Sequence, residues 1–266
     1  MRIAIIGGGV MGEAIVSALL RQGVAAADDI AVCEVLDDRR RYLSEKHGVA
    51  TFADAFRAVD GAGLVVFAVK PQEFPAAAAP LAGRLGERSV LSIMAGVRLA
   101  SIVAALGSDR VARAMPNTPA QIGEGITVWT AAPGLDSEAL EDIRCLLGAL
   151  GQEVYVDDEK YVEMATAVSG SGPGFVFLLL EALIDGAVHI GLRREVATRL
   201  VYQTVLGSVR YAEVTGRHPA ELRAQVVSPG GTTAAGLLAL ERSGVRAAIV
   251  EAIEAAYRRA LELGGK

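Results

Sequence analysis

An apolar run, Ile3-Ala4-Ile5-Ile6, breaks at once into Gly7-Gly8-Gly9-Val10-Met11-Gly12, and Ala14, Ile15, Ala18 and Leu19 then recur at helical spacing. Strand, glycine turn and helix in that order open a parallel sheet that binds a dinucleotide. In G-x-G-x-x-G the first glycine permits the tight turn and the second lets backbone approach a pyrophosphate. The third packs the helix closely on the strand. The helix is expected over about Val10 to Arg21, and Gly7, Gly8, Gly9, Val10, Met11 and Gly12 are the first candidate cofactor contacts.

The strand–helix alternation continues. Strands are expected at Ile30–Cys33, Leu64–Val69, Ser89–Met94, Arg110–Met115, Gly125–Thr130 and Gln152–Val156, with a helix from Asp136-Ser137 to Leu150. The unbroken apolar run at Leu64–Val69 suits a central parallel strand covered on both faces. Open α/β sheets bind ligands beyond the carboxyl ends of their strands. Those ends carry Lys70-Pro71-Gln72, the small pair Ala95-Gly96, and Pro116-Asn117-Thr118-Pro119. Lys70 would lie beside the cofactor, Ala95 and Gly96 would admit nicotinamide or ribose to the backbone, and the two prolines would present Asn117 and Thr118. Glu34 ends the second strand, 22 positions after Gly12. A carboxylate there accepts ribose hydroxyls and repels a 2′-phosphate, which leans to NAD. Arg39, Arg40 and Arg41 pull the other way.

Alternation stops after Asp157-Asp158. The chain therefore divides into a Rossmann-type α/β domain over residues 1–158 and an all-helical domain over 159–266. In the second half a helix to about Val168 is expected to break at Ser169-Gly170-Ser171-Gly172-Pro173. Helices follow at Pro173–Ile190, Arg194–Thr215 and Val245–Leu263, with a short one after His218-Pro219. The helix from Pro173 is apolar on all sides, so a subunit interface and an intimate homodimer are expected. Its run Phe175–Leu180 stops at Glu181 and Asp185, too short for a bilayer. A net charge of −5 with both signs interspersed gives no nucleic-acid face. Cys33 and Cys145 fit neither a disulfide framework nor a metal spacing. Glycines and Glu13 interrupt any signal-like start, so a soluble protein of the reducing cytosol is expected.

The chemistry is narrowed at Ser228-Pro229-Gly230-Gly231-Thr232-Thr233, which opens an apolar helix. Unpaired N–H groups at such a terminus suit a small anion, and three hydroxyls stand beside them. No metal is expected, because His47, His189 and His218 fall in no ligand cluster. The four lysines, Lys46, Lys70, Lys160 and Lys266, leave the long central helix without the general base of an alcohol dehydrogenase. Hydroxyls and N–H groups without a strong acid or base suit a cyclic iminium acid, whose carbon is already electrophilic.

Several further motifs resemble one family. Val168-Ser169-Gly170-Ser171-Gly172-Pro173, Gly191-Leu192-Arg193-Arg194, Gln203-Thr204, His218-Pro219 and Val227-Ser228-Pro229-Gly230-Gly231-Thr232-Thr233 together look like pyrroline-5-carboxylate reductase. Ala68-Val69-Lys70-Pro71-Gln72 and Met115-Pro116-Asn117-Thr118-Pro119 match the same family's first domain. The resemblance covers essentially the whole chain. It implies reduction of Δ1-pyrroline-5-carboxylate to L-proline with NADPH or NADH, the last step of proline biosynthesis. It also implies an intertwined homodimer that in the family often builds larger rings.

Carried over by motif position, Thr233 would hydrogen-bond the ring nitrogen as the catalytic contact. Ser228 and the backbone of Gly230, Gly231, Thr232 and Thr233 would grip the carboxylate, and Glu159 would border the site. Gly7 to Gly12, Glu34, Val69, Lys70, Pro71, Ala95 and Gly96 would hold the cofactor, with Asn117 close by and Gln225 approaching the nicotinamide. The chain departs from the family at Cys33-Glu34-Val35, where a small polar residue or Asn-Arg is common. It departs again at Ala55, where asparagine is usual, and at Ala224, which replaces a common aspartate. Two readings stay open beside the main one: a six-membered imino acid as substrate, and a dinucleotide-binding sensor without turnover.

Overall fold

The computed structural model describes residues 1–264. The first half alternates as β1 (Ile3–Ile6), α1 (Val10–Arg21), β2 (Ile30–Cys33), α2 (Asp37–His47), β3 (Ala50–Phe52), α3 (Ala55–Ala58), β4 (Leu64–Phe67) and α4 (Phe74–Ala78). It continues with β5 (Ser89–Ser92), α5 (Leu99–Leu106), β6 (Val111–Met115), β7 (Gly125–Ala131), α6 (Ser137–Ala149) and β8 (Gly151–Tyr155). All strands join one sheet in the order β3-β2-β1-β4-β5-β6-β7-β8.

Neighbours from β3 through β6 are parallel, and β1, β2, β4 and β5 are buried throughout. Successive residues face opposite layers. Ile3, Ile5, Leu64 and Val66 pack with α1 and α6, while Ala4, Ile6, Val65 and Phe67 pack with α3, α4 and α5. Covering on both faces is why these strands read as unbroken apolar runs.

Two features differ from expectation. β3 is a three-residue strand at the sheet edge, too short to carry an alternating pattern. β7 runs antiparallel to β6, which residue periodicity does not report. At α6 the Asp136 carboxylate caps the first turn, accepting from Ala139 N at 2.9 Å, and also pairs with Arg110.

The helical half comprises α7 (Lys160–Ala165), α8 (Gly172–His189), α9 (Arg194–Thr215), α10 (Pro219–Gln225), α11 (Thr232–Arg242) and α12 (Val245–Leu263). The expected break at Ser169–Pro173 is instead a π turn over Thr166–Gly170. Ser171 N reaches Thr166 O at 2.9 Å. The hydroxyls of Thr166, Ser169 and Ser171 donate to the carbonyls of Val162, Ala165 and Thr166. Hydroxyl side chains thus satisfy carbonyls that a widened turn leaves poorly bonded. The helical path Lys160–His189 consequently runs for 30 residues, long and apolar enough by length and composition to cross a membrane. That differs from the short apolar run expected at Phe175–Leu180.

By contact the chain forms two compact units, Met1–Pro173 with the segment from Ala255, and Gly174–Glu254. The first unit takes in α7 and the π turn, so it extends past Asp158. In the second unit Phe177, Leu178 and Val214 are exposed at 59%, 64% and 86%, an apolar surface that demands a partner.

Trp129, the sole tryptophan, is fully buried on β7. It stacks edge-on with Tyr155 at 4.9 Å, and its indole N–H donates to Glu153. Trp129→Ala is expected to cost roughly 3–5 kcal/mol, read by urea denaturation followed by circular dichroism. A cost below about 1 kcal/mol would contradict this packing.

Candidate active site

The glycine turn is fixed by close approach. Gly7 has φ 108°, and a side chain there would lie 2.8 Å from the Ala68 carbonyl and 2.9 Å from Val69 Cγ1. A Cβ on Gly12 would overlap the Gly7 carbonyl oxygen, whereas one on Gly9 would meet nothing within 4 Å. Packing therefore requires the first and third motif glycines, and open space lies over the second. Gly9 is the N-cap of α1 and supplies no side-chain cap. The first-turn N–H groups face outward beside exposed Gly9 and Val10, an arrangement that fits a pyrophosphate.

Glu34, at the end of β2, folds back onto this turn. Its Oε2 accepts from Gly8 N and its Oε1 from Leu36 N, both at 3.0 Å. All three following arginines are engaged. Arg39 donates to Gly8 O at 2.6 Å and pairs with Glu13 at 2.5 Å. Arg40 donates to the carbonyls of Glu34 and Val35 at 2.6 and 2.9 Å, and Arg41 pairs with Asp37 at 3.3 Å.

Glu13 also meets Lys46 at 2.8 Å, His47 at 3.1 Å and the Tyr42 hydroxyl at 3.2 Å. Burial pushes this carboxyl upward, but hydrogen bonds from Lys46, Arg39 and His47 outweigh it and hold the pKa at about 2. The sequence sets these arginines against Glu34 in the choice of cofactor, and local order does not show what they bind. In the sequence Glu13 shows only as a break in the apolar start, because its ionic partners lie on a different helix.

Next to the turn is a cavity of about 710 Å³ lined by Ile6, Cys33, Val35, Asp54, Ala55 and Gln72. Its place beyond β1 and β2 suits an adenosine. Burial pushes the Cys33 thiol up to about 11, aided by the charges of Glu34 and Asp54, so it stays a neutral wall.

The remaining candidates in this unit follow strand carboxyl ends. Val69, exposed Lys70 and Pro71 follow β4, and Lys70 N donates to Glu73 at 3.3 Å. Ala95 and Gly96 follow β5, with Gly96 at φ 75°. Asn117 follows β6 and accepts through Oδ1 from Ile126 N at 3.0 Å, pinning its own loop. Gly170 of the π turn meets this edge too, since a Cβ there would lie 3.0 Å from Met115 Cε. Glu159 is ion-paired with buried Arg113 at 2.6 Å, and neither this arginine nor the pairing was anticipated.

The helical unit carries the other candidates. Gly230 turns at φ 70°, Gly231 N bonds Ser228 O at 3.0 Å, and a Cβ on Gly231 would strike Ser228 Oγ. Gly231 is the N-cap of α11 and supplies no side-chain bond. Ser228, Thr232 and Thr233 are exposed around that open terminus. Gln225, at the end of α10, turns its amide oxygen to the Arg217 guanidinium, 2.9 Å from Nη2. Among the described residues no group of three or more His, Cys, Asp or Glu side chains could hold a metal ion.

Sheet order, glycine cradle and an uncapped α1 define a dinucleotide-binding oxidoreductase of the Rossmann type joined to a helical module. A family model described as pyrroline-5-carboxylate reductase dimerisation matches residues 159–263, and one described as NADP oxidoreductase, coenzyme F420-dependent, matches 2–96. A pyrroline-5-carboxylate reductase of Synechocystis is 42% identical, the alignment covering 100% of this chain and 99% of that protein. One from Arabidopsis thaliana is 38% identical over 98% and 95%. The solved structure of a pyrroline-5-carboxylate reductase from Coxiella burnetii superposes with a TM-score of 0.90 at 36% identity, covering 100% and 99%. That of a Plasmodium falciparum pyrroline carboxylate reductase, described with NADP bound, gives 0.92 at 26%, covering 100% and 98%. The chain belongs to the pyrroline-5-carboxylate reductase family.

The Glu13 cluster predicts an acid-sensitive contribution to stability. A carboxyl depressed from 4.5 to about 2 stabilises fully above its unfolded value, and the contribution fades as pH falls through about 2. Glu13→Gln is expected to cost about 1–2 kcal/mol at neutral pH, after discounting for solvent screening. The gap from wild type should narrow as the pH drops below 4.5. Denaturation midpoints across that range test it, and a pH-independent gap would contradict the ionic origin.

Proposed function

We propose that this protein reduces Δ1-pyrroline-5-carboxylate to L-proline with a nicotinamide dinucleotide, the last step of proline biosynthesis. The observation that carries the reading is the uncapped N-terminus of α11, ringed by the hydroxyls of Ser228, Thr232 and Thr233. Ser228 and the N–H groups of Gly230 to Thr233 hold the substrate carboxylate, with the helix dipole favouring its charge. The Thr233 hydroxyl hydrogen-bonds the ring nitrogen and fixes which face of the imine is open. A protonated imine carbon is already electrophilic, so orientation and charge complementarity suffice without a strong acid or base. When bound, the nicotinamide supplies the hydride. Gly7 to Gly12, Glu34, Val69, Lys70, Pro71, Ala95, Gly96 and Asn117 hold the cofactor, and Gln225 is a further cofactor contact.

Residues 159–266 serve as the substrate-binding and dimerisation module of a homodimer that can build larger rings. The exposed apolar surface of α8 and α9 supports this. Two unpaired cysteines, one buried and one exposed, suit a reducing cytoplasm.

The activity is tested by pyrroline-5-carboxylate-dependent oxidation of NADH and NADPH, and no turnover with either would refute it. In the same assay Thr233→Ala is expected to lower kcat/KM by roughly one to two decades, about 1.5–3 kcal/mol for a hydrogen bond to a charged group. Wild-type kinetics would remove Thr233 from its role.

For the cofactor we infer a preference for NADH. Glu34 keeps a carboxylate at the end of β2, while Arg39 and Arg40 are spent on backbone carbonyls and acidic neighbours. Glu34→Ser is expected to shift the ratio of kcat/KM towards NADPH by roughly tenfold or more, since about 1.4 kcal/mol suffices for that factor. A wild-type preference for NADPH would overturn the repulsion argument.

A further inference from the structure

An ionic cluster built around buried Arg113 in the sheet unit has no part in the mechanism above. Arg113, on β6, is 1% exposed. Its guanidinium lies 2.6 Å from Glu159 and 3.8 Å from Glu163, and Glu163 lies 3.1 Å from Arg98. Glu159 and Glu163 stand four residues apart on one face of the α7 turn, so both reach the same cation. The Glu159 oxygen that meets Arg113 also accepts from Leu99 N at 2.8 Å. Leu99 is the first residue of α5, and its N-cap, Arg98, makes no side-chain cap bond. Glu159 therefore caps α5 from another helix, satisfying an N–H that the helix cannot satisfy itself.

Arg98 and Leu99 end the short segment that begins at Ala95-Gly96. Gly96 is confined at its other side, since a Cβ there would lie 3.1 Å from the main chain of Leu263. The loop is thus held at both ends, by a carboxylate at Leu99 and by packing at Gly96.

We propose that Glu159 is a positioning residue for hydride transfer. By capping Leu99 it sets the height of the Ala95–Gly96 backbone at the carboxyl end of β5, and Arg113 holds its carboxylate in place. The inference rests on reading Ala95–Gly96 as the nicotinamide loop. It also gives Glu159 a role other than touching substrate.

The test uses the full-length enzyme and compares Glu159→Ala, Glu159→Gln and Leu99→Pro. Proline is tolerated at the first position of a helix, and Arg98 already has the extended conformation (φ −78°, ψ 155°) that a following proline requires. Leu99→Pro therefore deletes the donor while leaving all four charged side chains intact. If Glu159→Ala does not fold, this variant carries the test alone. Glu159→Ala and Leu99→Pro are each expected to lower kcat by roughly tenfold, with KM for pyrroline-5-carboxylate moving less than about threefold. Combined, they should lose less than about twofold beyond the worse single variant. Glu159→Gln keeps an acceptor and should recover kcat to within about threefold of wild type.

A raised substrate KM at unchanged kcat in Glu159→Ala would overturn the proposal in favour of a direct substrate contact. Wild-type kcat in Leu99→Pro would overturn it as well. Gly96→Ala separates the two layers of the argument. If it leaves kcat and cofactor KM untouched, the nicotinamide-loop reading fails. If it impairs them while Leu99→Pro does not, only the positioning role fails.

Discussion

The burial of the Arg113 guanidinium is the constraint on which the sheet unit turns. A cation removed from water without a partner costs several kcal/mol, and β6 places this one where almost no solvent reaches. Its Nε still has no hydrogen-bond partner among the described residues, so the carboxylates that face it cannot be spared. They come from α7, beyond the last strand. The sheet can therefore bury this strand only with the first turn of α7 docked beside it. Once docked, that turn caps α5 and leads into the π turn against Met115. One electrostatic requirement orders the carboxyl ends of two neighbouring strands.

Two helices, one in each half of the chain, open by the same device. α1 starts at Gly9 and α11 at Gly231, each with an extended N-cap that offers no side chain to its own first turn. Elsewhere α3, α6 and α10 are capped by Asp54, Asp136 and His218. A capped terminus has spent its N–H groups internally, whereas a glycine-started one keeps them for a ligand. The two turns differ in the room they leave. Gly9 opens to empty space, while Gly231 is crowded by Ser228, which narrows the second turn around its hydroxyl.

Much of this was legible in the residues because it depends on near neighbours. The strands of the parallel core, α1, α9 and α12 follow from periodicity and from glycine and proline punctuation, and so does the Ser228–Thr233 turn. What stayed hidden depends on distance along the chain or on geometry without a composition. β3 is too short to show a period, and nothing in Gly125–Ala131 encodes that β7 runs against β6. The Ser-Gly-Ser-Gly segment reads as a helix breaker, yet its hydroxyls satisfy the widened turn, so the helix swells instead of stopping. Arg113 and Glu159 lie 46 positions apart, and Glu13 meets its partners on α2 from α1. No local pattern announces such pairs, although a lone arginine inside an apolar strand is a sign that an acid must come from elsewhere.

The course of α12 bears on how such chains can be recombined. The helix starts in the helical unit and ends in the sheet unit, with Leu263 against Gly96. α8 carries the backbone out and α12 brings it home, so the helical unit is in effect an insertion with two junctions. A chimera of two relatives spliced once, between Asp158 and Glu159, would take both carboxylates of Arg113 and the cover of Gly96 from the wrong parent. Two crossovers, near Pro173 and Glu254, would exchange the helical unit and leave those contacts with the sheet that evolved them. By these contacts the exchangeable unit is an inner segment, and the end of the last helix, from Ala255, stays with the first strand.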